Sequence, residues 1–328
     1  MSNDQPMEIA ADLAATTALL EIAEELGVSP LLDRTEPFTL DDLALASQAP
    51  KKEAGKFLQA LLASGLVEHT TDSGYFRACA EIADRRYEAG YLSWALNANR
   101  PLIENAPEFL RNCDDAIGKY HRDGRRVAIS SRWIGTRGFY PTAVSSIIDH
   151  QPAKIVDLGA GAGRLLIELL QALPESTGLA LDLSSAACAE AEIAASRADL
   201  SDRLTVVNRS IESLTEDPSP VQGADVVHAG FVMHDIVADP DVFDAVLRNC
   251  RVSLATGGQM VITDGVPYAS DPRERAFSAL FTYLHGSFMG VQLPTEKQWE
   301  EAFRRAGFTE VQCVRHRFPT GRMFLVSG

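Results

Sequence analysis

The stretch Lys154-Ile155-Val156-Asp157-Leu158, followed by Gly159-Ala160-Gly161-Ala162-Gly163, constrains the fold more than any other part of the chain. A near-continuous aliphatic run reads as a strand buried on both faces. The glycine-rich turn after it leads into a helical pattern through Leu165 to Leu173. The alternation then repeats. Strands are expected over Gly178 to Leu183, Leu204 to Val207, Asp225 to Ala229 and Gln259 to Thr263, with helices over Ala186 to Ala198 and Asp241 to Leu254. Strands alternating with helices imply an α/β domain, a doubly wound parallel sheet covered on both faces. Trp299 to Ala306 adds a helix, Val311 to Phe318 a strand, and Phe324-Leu325-Val326 is expected as a final edge strand.

The first 80 residues have a different texture. Ile9, Leu13, Leu19, Leu20, Ile22 and Leu26 mark one helix over residues 8–26, which Gly27 closes. Thr39 is placed to cap a second helix, and Pro50 opens a third that ends at Gly65. Leu66-Val67-Glu68-His69, Asp72-Ser73-Gly74 and Tyr75-Phe76-Arg77 read as strand, turn and strand. Helices followed by a hairpin form a winged-helix-like pattern, used elsewhere for DNA binding or for dimerisation. The third helix offers only Lys51, Lys52 and Lys56, and the formal net charge of −15 opposes a nucleic-acid partner. The expected domains are therefore 1–80 for dimerisation, 81–145 as a helical linker and substrate lid, and 146–328 as the α/β domain.

No apolar run reaches the ~18–20 residues that span a bilayer, and the N-terminus lacks the basic start and apolar core of a signal peptide. Cys79, Cys113, Cys188, Cys250 and Cys313 are scattered and form no CxxC pair. The reading is a cytoplasmic protein with reduced thiols and no cysteine metal site.

The turn Gly159-Ala-Gly-Ala-Gly163 lets a cofactor approach the backbone closely, and ligands in such sheets bind beyond the carboxyl ends of the strands. Asp182 ends the next strand, where a carboxylate can accept from both ribose hydroxyls. The GxGxG spacing departs from the dinucleotide fingerprint GxGxxG. Phe231-Val232-Met233-His234-Asp235-Ile236 follows the fourth strand, where a histidine can act as a general base or a metal ligand.

The glycine turn and strand-end acids resemble the first signature of class I S-adenosylmethionine-dependent methyltransferases. The resemblance implies a C-terminal Rossmann-like methyltransferase sheet, with an N-terminal, mostly helical, winged-helix-like domain. It puts Gly159, Gly161 and Gly163 at the cofactor, Asp157 near its amino-acid end and Asp182 with Leu183 at the ribose. Ser210 and Ile211 fall near the adenine, with Ser210 where an acid is common. The whole chain resembles the O-methyltransferases of this architecture, in which a His-Asp pair at His234 and Asp235 deprotonates a hydroxyl. Those enzymes orient the histidine with a glutamate, and Gln292 stands about where it would be.

Leu284-His285-Gly286-Ser287-Phe288-Met289-Gly290 resembles a smaller branch, the α-keto acid C-methyltransferases of nonribosomal-peptide pathways. That resemblance implies iron, or zinc, bound by His234 and His285. It implies methylation of the β-carbon of a small α-keto acid through an enolate that the metal stabilises. Asp235 would sit beside the metal, Arg122 would hold the substrate carboxylate, and Trp94, Asn99, Met233 and Met289 would wall the pocket. The alternative is a metal-independent O-methyltransferase with His234 as base. A homodimer is expected in either case.

Overall fold

A computed structural model describes residues 5–268, 272 and 275–328. The chain divides into two compact units, Met1–Ala106 with Tyr120–Arg137, and Pro107–Lys119 with Gly138–Gly328. The helical stretch expected over 81–145 is thus shared between the two.

In the first unit a helix spans Gln5–Glu25. It is followed by β1 (Phe38–Thr39), helices Leu40–Ala46 and Lys51–Ala63, β2 (Val67–His69) and β3 (Tyr75–Ala78). The three strands form an antiparallel sheet in the order β1-β3-β2. Thr39 caps its helix reciprocally. Its hydroxyl accepts from the Asp42 amide at 3.2 Å, and the Asp42 carboxylate accepts from the Thr39 amide at 2.8 Å. Leu20, Leu31, Phe38, Leu58, Leu61 and Trp133 form the core of this unit. Helix Ile82–Leu92 then loosens into a π-helical turn, Ser93–Ala98, a geometry frequent at functional sites.

The second unit is built on β4 (Lys154–Leu158), β5 (Thr177–Asp182), β6 (Leu204–Asn208), β7 (Ala224–Gly230), β8 (Leu254–Gly265), β9 (Glu310–Arg315) and β10 (Gly321–Ser327). They form a seven-stranded sheet in the order β6-β5-β4-β7-β8-β10-β9. Strands β4 to β8 are parallel, and β10 runs antiparallel to both neighbours. The segment expected at the edge is therefore an inner strand. Phe324 and Val326 are buried in the core because β9 folds back as the true edge.

Alternation along the strands supplies both faces. Ile155, Val226 and Val261 pack with the helix Arg164–Ala172, whose Leu165, Leu166, Leu169 and Leu170 point inward. Val156, Val227, Met260 and Ile262 pack on the opposite face with Phe243, Val246 and Leu247 of the helix Pro240–Ser253.

Candidate active site

The strand order reverses direction at β4, and the crevice beyond its carboxyl end is where such sheets bind ligands. The glycine turn lies there. Gly159 and Ala160 amides donate to the Leu181 carbonyl at 2.8 and 3.1 Å. Asp182 accepts from the Gly161 amide at 2.8 Å and from the Ser184 amide at 2.8 Å, so the strand-end acid also shapes the turn. Gly159 has φ +70°, and a Cβ there would lie 2.5 Å from Val232 Cγ1. Only glycine lets the turn pass so close to the segment carrying His234. Leu183 is exposed, Ser210 stands just before the short helix Ile211–Thr215, and Ile211 is buried.

Phe231, a non-glycine residue at φ +54°, directly follows strand β7. Its amide donates to the Thr263 carbonyl at 2.7 Å, and its ring packs on Phe139 and Phe318. These contacts hold a strained backbone conformation, a feature that clusters at functional sites. The turn delivers Met233–Asp235. Met233 is fully buried in the core cluster that also holds Ile236 and Phe243.

His234 is 5% exposed, and its Nδ1 lies 2.6 Å from Asp264 Oδ1. Its backbone amide donates to Asp264 Oδ2 at 3.0 Å, and Asp264 itself is 0% exposed. A carboxylate facing Nδ1 holds a proton there and leaves the lone pair on Nε2. Asp235, largely exposed, lies 3.4 Å from that Nε2. His285 stands in the last turn of the helix Arg275–Phe288, 2% exposed, and its Nδ1 donates to the Phe281 carbonyl at 2.7 Å. The same tautomer follows. The two imidazole rings meet edge to face with centroids 5.4 Å apart. Gln292 is exposed and lies beside Gly286, so the acid that orients His234 is Asp264. Among the described residues, no three or more His, Cys, Asp or Glu side chains are grouped to hold a metal ion. A metal held here would take the rest of its ligands from substrate or water.

The expected substrate residues Trp94, Asn99 and Arg122 all fall in the first unit. Trp94 is buried in the π-helical turn, and the Asn99 amide donates to its carbonyl at 2.7 Å. The Asp123 amide, next to Arg122, donates to the Ala98 carbonyl at 2.9 Å. Asn99 Oδ1 is buried and accepts no hydrogen bond among the described residues. Met289 follows the His285 helix, with its amide on the Leu284 carbonyl. All five cysteines are free thiols, and burial pushes Cys250 up to about 12.

Two residues of the site escaped sequence reasoning. Asp264 ends the buried strand β8, the same signal that singled out Asp182. His228 is a polar side chain inside the apolar run of β7, a placement that demands a buried partner. That partner is Asp157, whose Oδ1 lies 2.6 Å from His228 Nδ1.

Residues 156–260 match a family model described as a methyltransferase domain. The chain is 26% identical over 324 residues to 3-hydroxy-5-methyl-1-naphthoate 3-O-methyltransferase of Streptomyces sahachiroi, covering 92% of this chain and 89% of that protein. It is 24% identical over 277 residues to 2-ketoarginine methyltransferase of Streptomyces arginensis, covering 79% and 78%. The structure of human N-acetylserotonin methyltransferase in complex with S-adenosylmethionine shares the fold, with a TM-score of 0.60 and 17% identity, over 99% of this chain and 98% of that one.

The chain is a methyltransferase. The glycine turn beyond β4 lies within the matched domain. No helix among the described residues is long and apolar enough to cross a membrane.

Proposed function

We propose that this methyltransferase transfers the methyl group of S-adenosylmethionine to the β-carbon of a small α-keto acid, in the making of an amino-acid or peptide natural product. The observation that carries this reading is the convergence of His234 and His285, two buried imidazoles whose Nδ1 atoms are both engaged by acceptors. A single general base needs no second buried histidine. A pair of imidazoles with Nε2 lone pairs suits iron or zinc, and partners fixing Nδ1 are typical of metal-ligating histidines. Iron or zinc bound there would supply Lewis acidity toward the carboxylate and keto oxygens of the substrate.

The chain's own residues do the rest. Asp264 and the Phe281 carbonyl hold the two rings in orientation. Met289, which follows the His285 helix, walls the substrate side chain. Asp157, Asp182, Leu183, Ser210, Ile211 and the turn glycines hold the cofactor. Asp235, beside His234, accepts the β-proton. The carbon's electron pair then forms the new C–CH3 bond as the S–CH3 bond breaks, leaving S-adenosylhomocysteine. Holding the methyl in line with that carbon supplies much of the acceleration. The similarity to 2-ketoarginine methyltransferase supports this reading.

The test uses cofactor with a 13C-labelled methyl group and a panel of aromatic, branched and guanidino α-keto acids. The expected product carries the label on C3, seen as a carbon-bound methyl by NMR. A label found only on oxygen would overturn the reading. It would favour a second one, hydroxyl methylation with His234 as the base that Asp264 orients, which the 2.6 Å dyad and the naphthoate O-methyltransferase likeness support.

A homodimer also belongs to this proposal. Ile9 and Ile22 are exposed on the helix Gln5–Glu25 and need a partner surface. A monomer in light scattering would contradict it.

A further inference from the structure

Besides the His234–Asp264 pair, the sheet carries a second buried histidine–aspartate pair, whose histidine the reaction as described does not use. His228 is 3% exposed and Asp157 4%. The two stand opposite each other on the parallel strands β4 and β7. His228 donates from Nδ1 to Asp157 Oδ1 at 2.6 Å. Asp157 directly precedes Leu158 and the glycine turn. Its other oxygen, Oδ2, accepts no hydrogen bond among the described residues. A buried carboxylate with one oxygen anchored and the other open is a half-completed site for a cationic donor.

The surroundings preserve that arrangement. A Cβ on Gly230 would lie 3.1 Å from His228 Cε1, so the glycine leaves the ring its place. The Tyr140 phenol beside Asp157 is pushed up to about 12 by burial and by the Asp157 charge, so it stays a neutral hydroxyl. His316, whose charge His228 would feel, is itself held low, at about 4, chiefly by burial, and stays neutral at pH 7. Arg164 and Glu168 act on Tyr140 from the adjoining helix with opposite signs, and Arg322 acts on His316.

We propose that His228 is a positioning residue for the cofactor. It anchors Asp157 Oδ1 so that Oδ2 faces the ammonium group of the amino-acid end of S-adenosylmethionine. Without His228, the carboxylate loses its fixed rotamer and the donor that stabilises its charge.

The experiment measures binding of two ligands to the full chain by calorimetry. S-adenosylhomocysteine carries the amino-acid end, whereas 5′-methylthioadenosine lacks it. His228→Phe should weaken the first by about tenfold or more, as expected for losing a hydrogen bond to a charged group, and leave the second within about twofold. His228→Asn keeps a donor near the Nδ1 position and should recover most of the loss. In turnover, the KM for S-adenosylmethionine should rise with kcat little changed. Equal weakening of both ligands, or no change in either, would overturn the assignment. If His228→Phe fails to fold, the Asn variant and Asp157→Asn carry the same comparison. The proposal depends on the cofactor alone, so it stands or falls separately from the identity of the acceptor.

Discussion

The two histidine–aspartate pairs share one bond and differ in everything around it. Each has Nδ1 and Oδ1 2.6 Å apart, and each is almost fully buried. His228 lies inside β7 and Asp157 inside β4, on the sheet face that holds Ile155 and Val226. His234 lies beyond β7, past the strained Phe231, and Asp264 falls on the opposite face, with Met260 and Ile262. A second imidazole and the carboxylate of Asp235 gather at His234. At His228 the neighbours are Gly230 and, acting through charge, His316. The bond fixes a tautomer in both places, and the neighbourhood decides whether the ring meets reacting atoms or only steadies a carboxylate. Position in the fold separates them too. A side chain within a strand is held by both neighbouring strands, whereas one in the turn beyond it can meet a ligand.

The largest difference should come from removing the acids. Asp264→Asn should cut turnover by about ten- to a hundredfold, because the ring loses its orienting partner, with S-adenosylhomocysteine affinity nearly unchanged. Asp157→Asn should do the reverse. If both variants lose affinity and turnover alike, the two pairs have no separate roles.

The glycines sharpen the comparison next. Gly159→Ala forces a Cβ against Val232 and a side chain into the left-handed region. It should cost about 2–4 kcal/mol of stability and displace the His234 segment, as read from thermal unfolding and turnover. Gly230→Ala meets only the His228 ring. It should raise the KM for cofactor by several-fold and spare kcat.

The smallest effect concerns His316, which interacts with His228. Its folded pKa of about 4 is below the ordinary histidine value of 6.5. The unfolded chain therefore binds a proton in that window that the folded chain refuses, so stability falls as pH drops from 6.5 toward 4. His316→Phe should flatten that part of the stability–pH curve. An unchanged curve would show that His316 does not set it.

Much of this was legible in the sequence. The strand at Lys154–Leu158, the glycine turn and the alternation after it dictate the sheet, because hydrophobic period and turn chemistry are local properties. His234 was visible from its place after the fourth strand. The partners of the histidines were not, since Asp264 and Asp157 reach them only when non-adjacent segments pair in register. His285 is a similar case. Nothing within its helix says that it meets His234, and the resemblance to keto-acid methyltransferases alone pointed there. Phe324-Leu325-Val326 was misplaced because a short apolar run looks the same at an edge and in the interior, and only the return of β9 distinguishes them.

The most direct test of the two-histidine centre is metal content by mass spectrometry, on protein purified without an affinity tag, for the wild type and for His234→Ala and His285→Ala. The expected result is close to one iron or zinc per chain in the wild type and loss of that metal in both variants. A wild type that takes up no metal after reconstitution with iron, or variants that retain it fully, would contradict the centre and leave His234 as the base of a hydroxyl methyltransferase.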